Sequence, residues 1–232
     1  MEAQKKSMQY EFLQRVPMFA ELEMEEIKKL ADCLQLKHFK RDTLVVLETD
    51  EGSTLYIIVN GKVKISRMSD SGKEVILAIL GEGDFFGEMS LLDGLARSAN
   101  VTTTKDSELY LLKREDFLRL LKENPHIGIS LLRELAIRLR KSDMQIKSLS
   151  LFDATGRVGS ALIQLAEDSG TIKDGTVHLS SLPSQKDLSN MSGTSRETIS
   201  RVLKVFIKEG MITKSKNNLY INNYEEFKQK FG

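Results

Sequence analysis

The stretch Gln185-Lys186-Asp187-Leu188-Ser189-Asn190-Met191-Ser192-Gly193-Thr194-Ser195-Arg196-Glu197-Thr198-Ile199-Ser200-Arg201-Val202-Leu203 decides how this chain is read. It has the anatomy of a helix, a glycine turn at Ser192-Gly193 and a second helix, a helix-turn-helix. Thr194 and Glu197 fit the S/T-x-x-E capping pattern, which predicts a helix start there. In the second helix Ile199, Val202, Leu203 and Phe206 share an inward face. Glu197, Arg201, Lys204 and Lys208 fall at i, i+4, i+7 and i+11 on the opposite face, with Arg196 and Ser200 beside them. A helix of this width fits the major groove of DNA. There an arginine can bond bidentately to guanine O6 and N7, and a glutamate can accept from cytosine N4. The same spacing also suits a solvated face carrying a Glu197–Arg201 pair worth only ~0.2–0.5 kcal/mol.

Downstream, Met211 to Lys214 and Leu219 to Ile221 read as a two-stranded wing turning at Lys216-Asn217-Asn218. Residues 183–218 hold seven basic and three acidic side chains, a local excess of +4 in a chain whose net charge is only +1. Nucleic-acid binders concentrate charge in this way, although solvated helices are lysine-rich too. Upstream, Asp153 is placed to N-cap a helix from Ala154 to Glu167 that carries Val158, Leu162, Ile163 and Leu165. The stretches 168–170 and 173–175 read as loops.

Before Asp153 runs a long helical pattern that begins after Pro125. Gly128, Leu132, Leu135, Leu139, Ser142, Ile146 and Leu149 are separated by 4, 3, 4, 3, 4 and 3, an a/d heptad seam. The seam suits a dimer coiled coil through Leu132, Leu135, Leu139, Ile146 and Leu149. A helix packed on its own domain is the alternative, and it would show a wider apolar stripe. Ser142 is a polar residue inside the seam, of the kind kept for register or for a ligand.

From His38 to about Leu112 the period falls from 3.6 to 2. Residues 54–59, 62–65, 75–80 and 108–112 are rich in β-formers, with turns at Asn60-Gly61, Ser71-Gly72, Gly81 with Gly83, and Asp93-Gly94. This predicts an antiparallel barrel or roll. Ahead of it, Tyr10 to Leu36 has helical spacing broken by Pro17. Within the roll, Phe85-Phe86-Gly87-Glu88-Met89-Ser90-Leu91-Leu92 precedes Arg97-Ser98-Ala99. Glycines at 81, 83 and 87 let backbone amides approach a ligand, Arg97 and Ser98 suit a phosphate, and Glu88 can accept from hydroxyls.

Composition narrows the classes. The 232 residues suit one large or two small domains, and 41% hydrophobic with 29% charged residues is ordinary for a globular protein. No apolar run approaches the ~20 residues of a membrane-spanning helix, and no signal-type segment follows Met1. The one cysteine, Cys33, supplies no disulfide, CxxC pair or iron–sulfur cluster, and reads as a small buried apolar residue. Three scattered histidines make no metal site. No Ser/His/Asp set or paired-carboxylate site stands out, so an enzyme is disfavoured. The chain reads as soluble, cytoplasmic and non-redox.

Ser195-Arg196-Glu197-Thr198-Ile199-Ser200-Arg201 closely resembles the recognition helix of the CRP/FNR family of bacterial transcription regulators, in particular its cAMP receptor branch. The resemblance spans essentially the whole chain: roll, long helix and C-terminal helix-turn-helix. It implies that Arg196, Glu197 and Arg201 read G, C and G of TGTGA-type half-sites. Thr198, Ser200 and Lys204, with Lys186 and Ser195, would be phosphate or neighbouring contacts. The 85–99 stretch resembles the family's cyclic-nucleotide cassette. By that resemblance Glu88 would bond the ribose 2′-hydroxyl and Arg97-Ser98 the cyclic phosphate, with Gly87, Met89 and Ala99 alongside. Arg138 matches the family's helix arginine that reaches toward the pocket glutamate. Where the cAMP receptor offers a threonine and a serine to the adenine amine, this chain has Ser142 and Asp143. Asp143 could accept from that amine, or repel it and select another ligand. The cysteines of the FNR branch and an obvious axial histidine of the haem sensors are missing.

The expected fold is therefore α+β, with three parts. Residues 1–124 form a jelly-roll-like, cyclic-nucleotide-binding β-roll, 125–152 a dimerisation helix with its hinge, and 153–232 a winged helix-turn-helix. The expected protein is a homodimeric regulator that binds double-stranded DNA and, by the resemblance, RNA polymerase. It would be controlled by a small anionic effector such as cAMP, with no covalent cofactor, metal or membrane partner. Two alternatives stay open: a vestigial pocket or different effector, with Glu88 and Arg97 as a buried ion pair, and a cyclic-nucleotide module that acts on a protein partner.

Overall fold

In the computed structural model, the described residues are 2–180, 182–215 and 218–232. Lys216 and Asn217, in the expected wing turn, lie outside them. The chain divides into two compact units, Met1–Arg138 and Leu139–Gly232, and the division falls within one helix.

The first unit opens with α1 (Glu2–Arg15), a 3-10 turn at Pro17–Phe19 and α2 (Met24–Asp32). Eight strands follow: β1 (Gln35–Phe39), β2 (Leu44–Val46), β3 (Thr54–Asn60), β4 (Val63–Met68), β5 (Glu74–Leu80), β6 (Phe85–Phe86), β7 (Asn100–Thr103) and β8 (Ser107–Lys113). Between β6 and β7 lies the short α3 (Glu88–Asp93). After β8 come α4 (Arg114–Glu123) and α5 (Pro125–Leu151). The strands form two antiparallel four-stranded sheets, ordered β1-β8-β3-β6 and β2-β7-β4-β5.

Val46, Val63 and Val101 from one sheet meet Ile58, Phe86 and Leu109 from the other in an inner core. The outer face of the first sheet is covered as well. Leu55, Ile57, Phe85, Tyr110 and Leu112 pack against Leu13, Phe19, Ile27, Leu30, Phe117, Ile127 and Leu131 of the helices. A sheet buried on both faces needs continuous apolar runs, which is why Leu55 to Val59 is unbroken. One face of α5 thus belongs to the roll through Ile127 and Leu131, with Leu135 partly buried against the same core.

In the second unit, α6 (Ala154–Ser169) leads to a hairpin of β9 (Thr171–Lys173) and β10 (Thr176–Leu179). Then come α7 (Gln185–Ser192), α8 (Arg196–Lys208), β11 (Ile212–Ser215), β12 (Asn218–Ile221) and α9 (Tyr224–Phe231). The expected loop at 173–175 is a hairpin: Lys173 ends β9, and Asp174 and Gly175 both have positive φ, 49° and 75°. The wing is larger than the two strands expected, because β11-β12-β10-β9 form one four-stranded antiparallel sheet. Phe206 of α8 meets Phe227 and Phe231 of α9 at 5.5 and 5.1 Å between ring centroids. The α6–α9 contact closes over Gly159, where a Cβ would lie 2.5 Å from the Phe231 ring.

Candidate effector pocket and nucleic-acid interface

The pocket residues of the first unit are brought together by the chain reversal after β6. Gly87 takes φ +87°, a region strained for other residues, and a Cβ there would lie 2.5 Å from Arg97 Nη1. Arg97 is therefore seated against bare backbone. Its Nη1 donates to the Gly87 carbonyl at 2.8 Å, its Nη2 to the Thr54 carbonyl at 2.7 Å, and its guanidinium lies 5.9 Å from the Tyr56 ring centre. Burial pushes the Arg97 guanidinium down from its ordinary value, and Tyr56, Glu88 and Asp50 oppose this. Such a group gains from an anion that replaces its neutral carbonyl partners. Ala99 is buried, while Ser98 and Met89 are exposed neighbours whose Oγ and Sδ are 3.7 Å apart.

Glu88, 4% exposed, starts α3. Its ion-pair partner is Arg138, with Nη1 to Oε1 at 3.2 Å, while Arg97 bonds to carbonyls. The Glu88–Arg97 ion pair held open from sequence is thus replaced by Glu88–Arg138. Burial raises the Glu88 carboxyl above the usual carboxylate range, and the positive charge of Arg138 works against that rise. Arg138 is further fixed by the Phe85 carbonyl at 2.8 Å and by the Phe85 ring, 4.6 Å from its guanidinium carbon. Ser142 and Asp143 are exposed residues of the second unit. Sequence reasoning missed Gly52, Thr54 and Tyr56. A Cβ on Gly52 would meet Ser90 at 2.4 Å, and Tyr56 stacks on Phe86 at 4.9 Å. Only the glycine and the aromatic in the preceding strand region could have hinted at them.

On α5, Leu132, Leu139 and Ile146 are 68, 63 and 62% exposed, and Leu149 is also exposed. Leu135 is partly buried. It turns to its own roll, because Leu131 and Leu135 lie on the face that covers the first sheet. Ile129, Leu132, Ala136 and Leu139 of the same helix are exposed. Leu149 approaches the helix-turn-helix turn, where a Cβ on Gly193 would lie 3.0 Å from its Cδ2.

In the second unit, Ser184 caps α7 through the Asp187 amide, and Gly193 ends it at φ +60°. The cap of α8 is Ser195, whose Oγ accepts from the Thr198 amide at 3.1 Å. It is not Thr194, whose hydroxyl is 3.1 Å from Ser192 Oγ. A serine immediately after a threonine shifts the start by one residue, and Glu197 is freed from the reciprocal capping role. Ile199, Val202, Leu203 and Phe206 are buried. Arg196, Glu197, Arg201 and Lys204 are exposed, Thr198 and Ser200 half-buried, and Lys186 exposed on α7. Glu197, Ser200, Arg201, Lys204, Val205 and Lys208 line one open groove of about 480 Å³. The core thus locks one side of α8 and presents the other as a charged ridge.

A roll with a buried glutamate paired to an arginine, in one chain with a winged helix-turn-helix, defines a class: transcription regulators that combine a cyclic nucleotide-binding domain with a DNA-binding motif. The chain matches the cyclic nucleotide-binding domain family over residues 36–124 and the Crp-like helix-turn-helix domain family over residues 156–230. It is 34% identical over 215 residues to the CRP-like cAMP-activated global transcriptional regulator of Mycobacterium tuberculosis, covering 93% of this chain and 96% of that one. It is 37% identical over 196 residues to the cyclic AMP receptor protein of Thermus thermophilus, covering 84% and 88%. Among solved structures, the Thermus thermophilus catabolite activator protein superposes with a TM-score of 0.53 at 33% identity, over 92% of this chain and 97% of that one. The chain belongs to the CRP/FNR family, whose members are transcription regulators and not enzymes. Among the described residues, no helix is long and apolar enough to cross a membrane.

Proposed function

We propose that the protein is a cytoplasmic homodimer that reads TGTGA-like palindromic half-sites in double-stranded DNA under the control of a cyclic nucleotide such as cAMP. The observation that carries the DNA reading is α8: Arg196, Glu197 and Arg201 stand exposed on a helix whose opposite face is fixed by Ile199, Val202 and Phe206. Arg196 and Arg201 would take guanine O6 and N7, and Glu197 the cytosine amine. Lys204, Thr198, Ser200, Ser195 and Lys186 would hold phosphates or neighbouring groups. Two such helices, held by the exposed apolar stripe of α5, would meet successive major grooves about 34 Å apart.

For the effector, the pocket supplies a buried arginine on neutral carbonyls for the phosphate and a buried glutamate for a ribose hydroxyl. Gly87, Met89, Ser98 and Ala99 would lie alongside the ligand. A bound effector can shift DNA affinity only by its differential affinity for the two states of the dimer. RNA polymerase would be the partner at promoters. The effector role is supported by the relatives' description as cAMP-activated and by the residues present, and the polymerase role by family resemblance alone. Electrophoretic shifts on a TGTGA palindrome and single-base variants test the DNA reading. Arg196→Ala should lose ~1–3 kcal/mol of discrimination at one base position. Equal losses on specific and random DNA would contradict the assigned role. Calorimetry with cAMP and cGMP tests the effector; absence of heat with both would remove cyclic nucleotides.

A further inference from the structure

Arg138 is held from three directions, and one of its partners has no place in the pocket chemistry above. Its Nη1 donates to Glu88, its Nη2 to the Phe85 carbonyl, and its Nε to Glu134 Oε1 at 3.1 Å. Glu134 lies one turn earlier on α5, at the i,i+4 spacing that lets its carboxylate reach back over the arginine. The side chains of Glu134 and Arg138 are about equally enclosed, 28 and 26% exposed, and Glu88 is almost fully buried. Two carboxylates thus share one guanidinium from different edges: Glu88 at the start of α3 and Glu134 on α5.

A long arginine side chain held only at its tip samples many rotamers, and ordering it on ligand binding costs affinity. The Nε contact fixes the plane of the fork before any ligand arrives. It thereby aligns the Nη1 edge that engages Glu88 Oε1. Charge gives the arrangement a second property. Arg138 faces the two carboxylates of Glu88 and Glu134, whereas Arg97 bonds to backbone carbonyls, so the two arginines are differently committed.

We infer that Glu134 is a positioning residue of the effector pocket: it presets Arg138, and through it Glu88, for a ligand that offers a ribose hydroxyl. The inference rests on the effector reading above, and its test separates the two. The first readout needs no ligand. The Arg138 Nε–H resonance of the full-length protein, assigned by its loss in Arg138→Lys, should be protected from solvent exchange in the wild type and in Glu134→Gln, and fast-exchanging in Glu134→Ala. Protection that persists in Glu134→Ala overturns the inference whatever the protein binds.

The second readout is affinity for cAMP against 2′-deoxy-cAMP. Glu134→Ala should weaken cAMP binding roughly threefold to tenfold, the cost of ordering one side chain. It should change 2′-deoxy-cAMP less than twofold, and Glu134→Gln, which keeps the acceptor, should restore wild-type affinity. Equal losses for both nucleotides, unchanged cAMP affinity in Glu134→Ala, failure of Gln to rescue, or tighter binding in both variants would each overturn the positioning role. Wild-type protein that binds neither nucleotide would remove the effector reading, and the exchange measurement then decides the role of Glu134 alone.

Discussion

Glu88 shows how burial and a neighbouring guanidinium pull a carboxyl in opposite directions. Its carboxyl is raised by desolvation and pulled back by Arg138. A carboxyl raised on folding favours the folded state while it is protonated, and that contribution is lost as pH climbs through its folded value. Arg138→Met removes the lowering charge. In that variant the Glu88 carboxyl, followed by carbon NMR, should titrate higher than in wild type, and the stability deficit should grow as pH rises above the ordinary carboxylate value of 4.5. An unchanged titration would show that Arg138 is not its electrostatic partner. At the start of α8, Ser195 accepts from the Thr198 amide, so Ser195→Ala should cost about 1 kcal/mol in chemical denaturation. Thr194→Ala, which leaves that cap intact, should cost less.

At the scale of elements, the chain announces its long or strongly patterned pieces and hides the short ones. The helix-turn-helix, the Asp153 cap, confirmed by its bond to the Gly156 amide at 2.7 Å, and strands β3, β4, β5 and β8 were legible. Strands β2, β6 and β7 were not, because they span only three, two and four residues and their register is set by sheet neighbours. Helices α4 and α9 were missed for a related reason. Each is a short amphipathic piece, ten and eight residues long, that forms because Phe117 or Phe227 and Phe231 find a core. Near the roll one seam position has a second neighbour that the heptad spacing does not announce: Leu135 is partly buried against the core under the first sheet. Of the candidate pocket, motif spacing singled out Glu88 and Arg97, and both are buried. Glu134 was not, because an i,i+4 acid–base pair is ordinary on any helix. The α6–α9 contact gives a stability test: Gly159→Ala would drive a methyl into the Phe231 ring, and should cost about 1–3 kcal/mol with the fold retained.

At the scale of the molecule, α5 links the two units in sequence: Arg138, the ion-pair partner of Glu88, is the last residue of one, and Leu139 is the first of the next. The helix exposes a stripe of Ile129, Leu132, Leu139 and Ile146 that a lone chain leaves in water. Leu139→Glu should therefore convert a dimer to a monomer in sedimentation velocity at micromolar concentration, while circular dichroism stays near wild type. A charge on α8 acts differently. Lys204→Ala should weaken binding evenly across DNA sequences and reduce the salt dependence by about one unit of slope.

The most direct test joins both ends of the chain in one titration. Fluorescence anisotropy of a labelled TGTGA palindrome, against a scrambled duplex at the same salt, is followed with and without cAMP. The account predicts that cAMP tightens binding to the palindrome roughly 5- to 150-fold, the usual range of allosteric coupling, and leaves the scrambled duplex little changed. Equal affinity for the two duplexes under both conditions would contradict it.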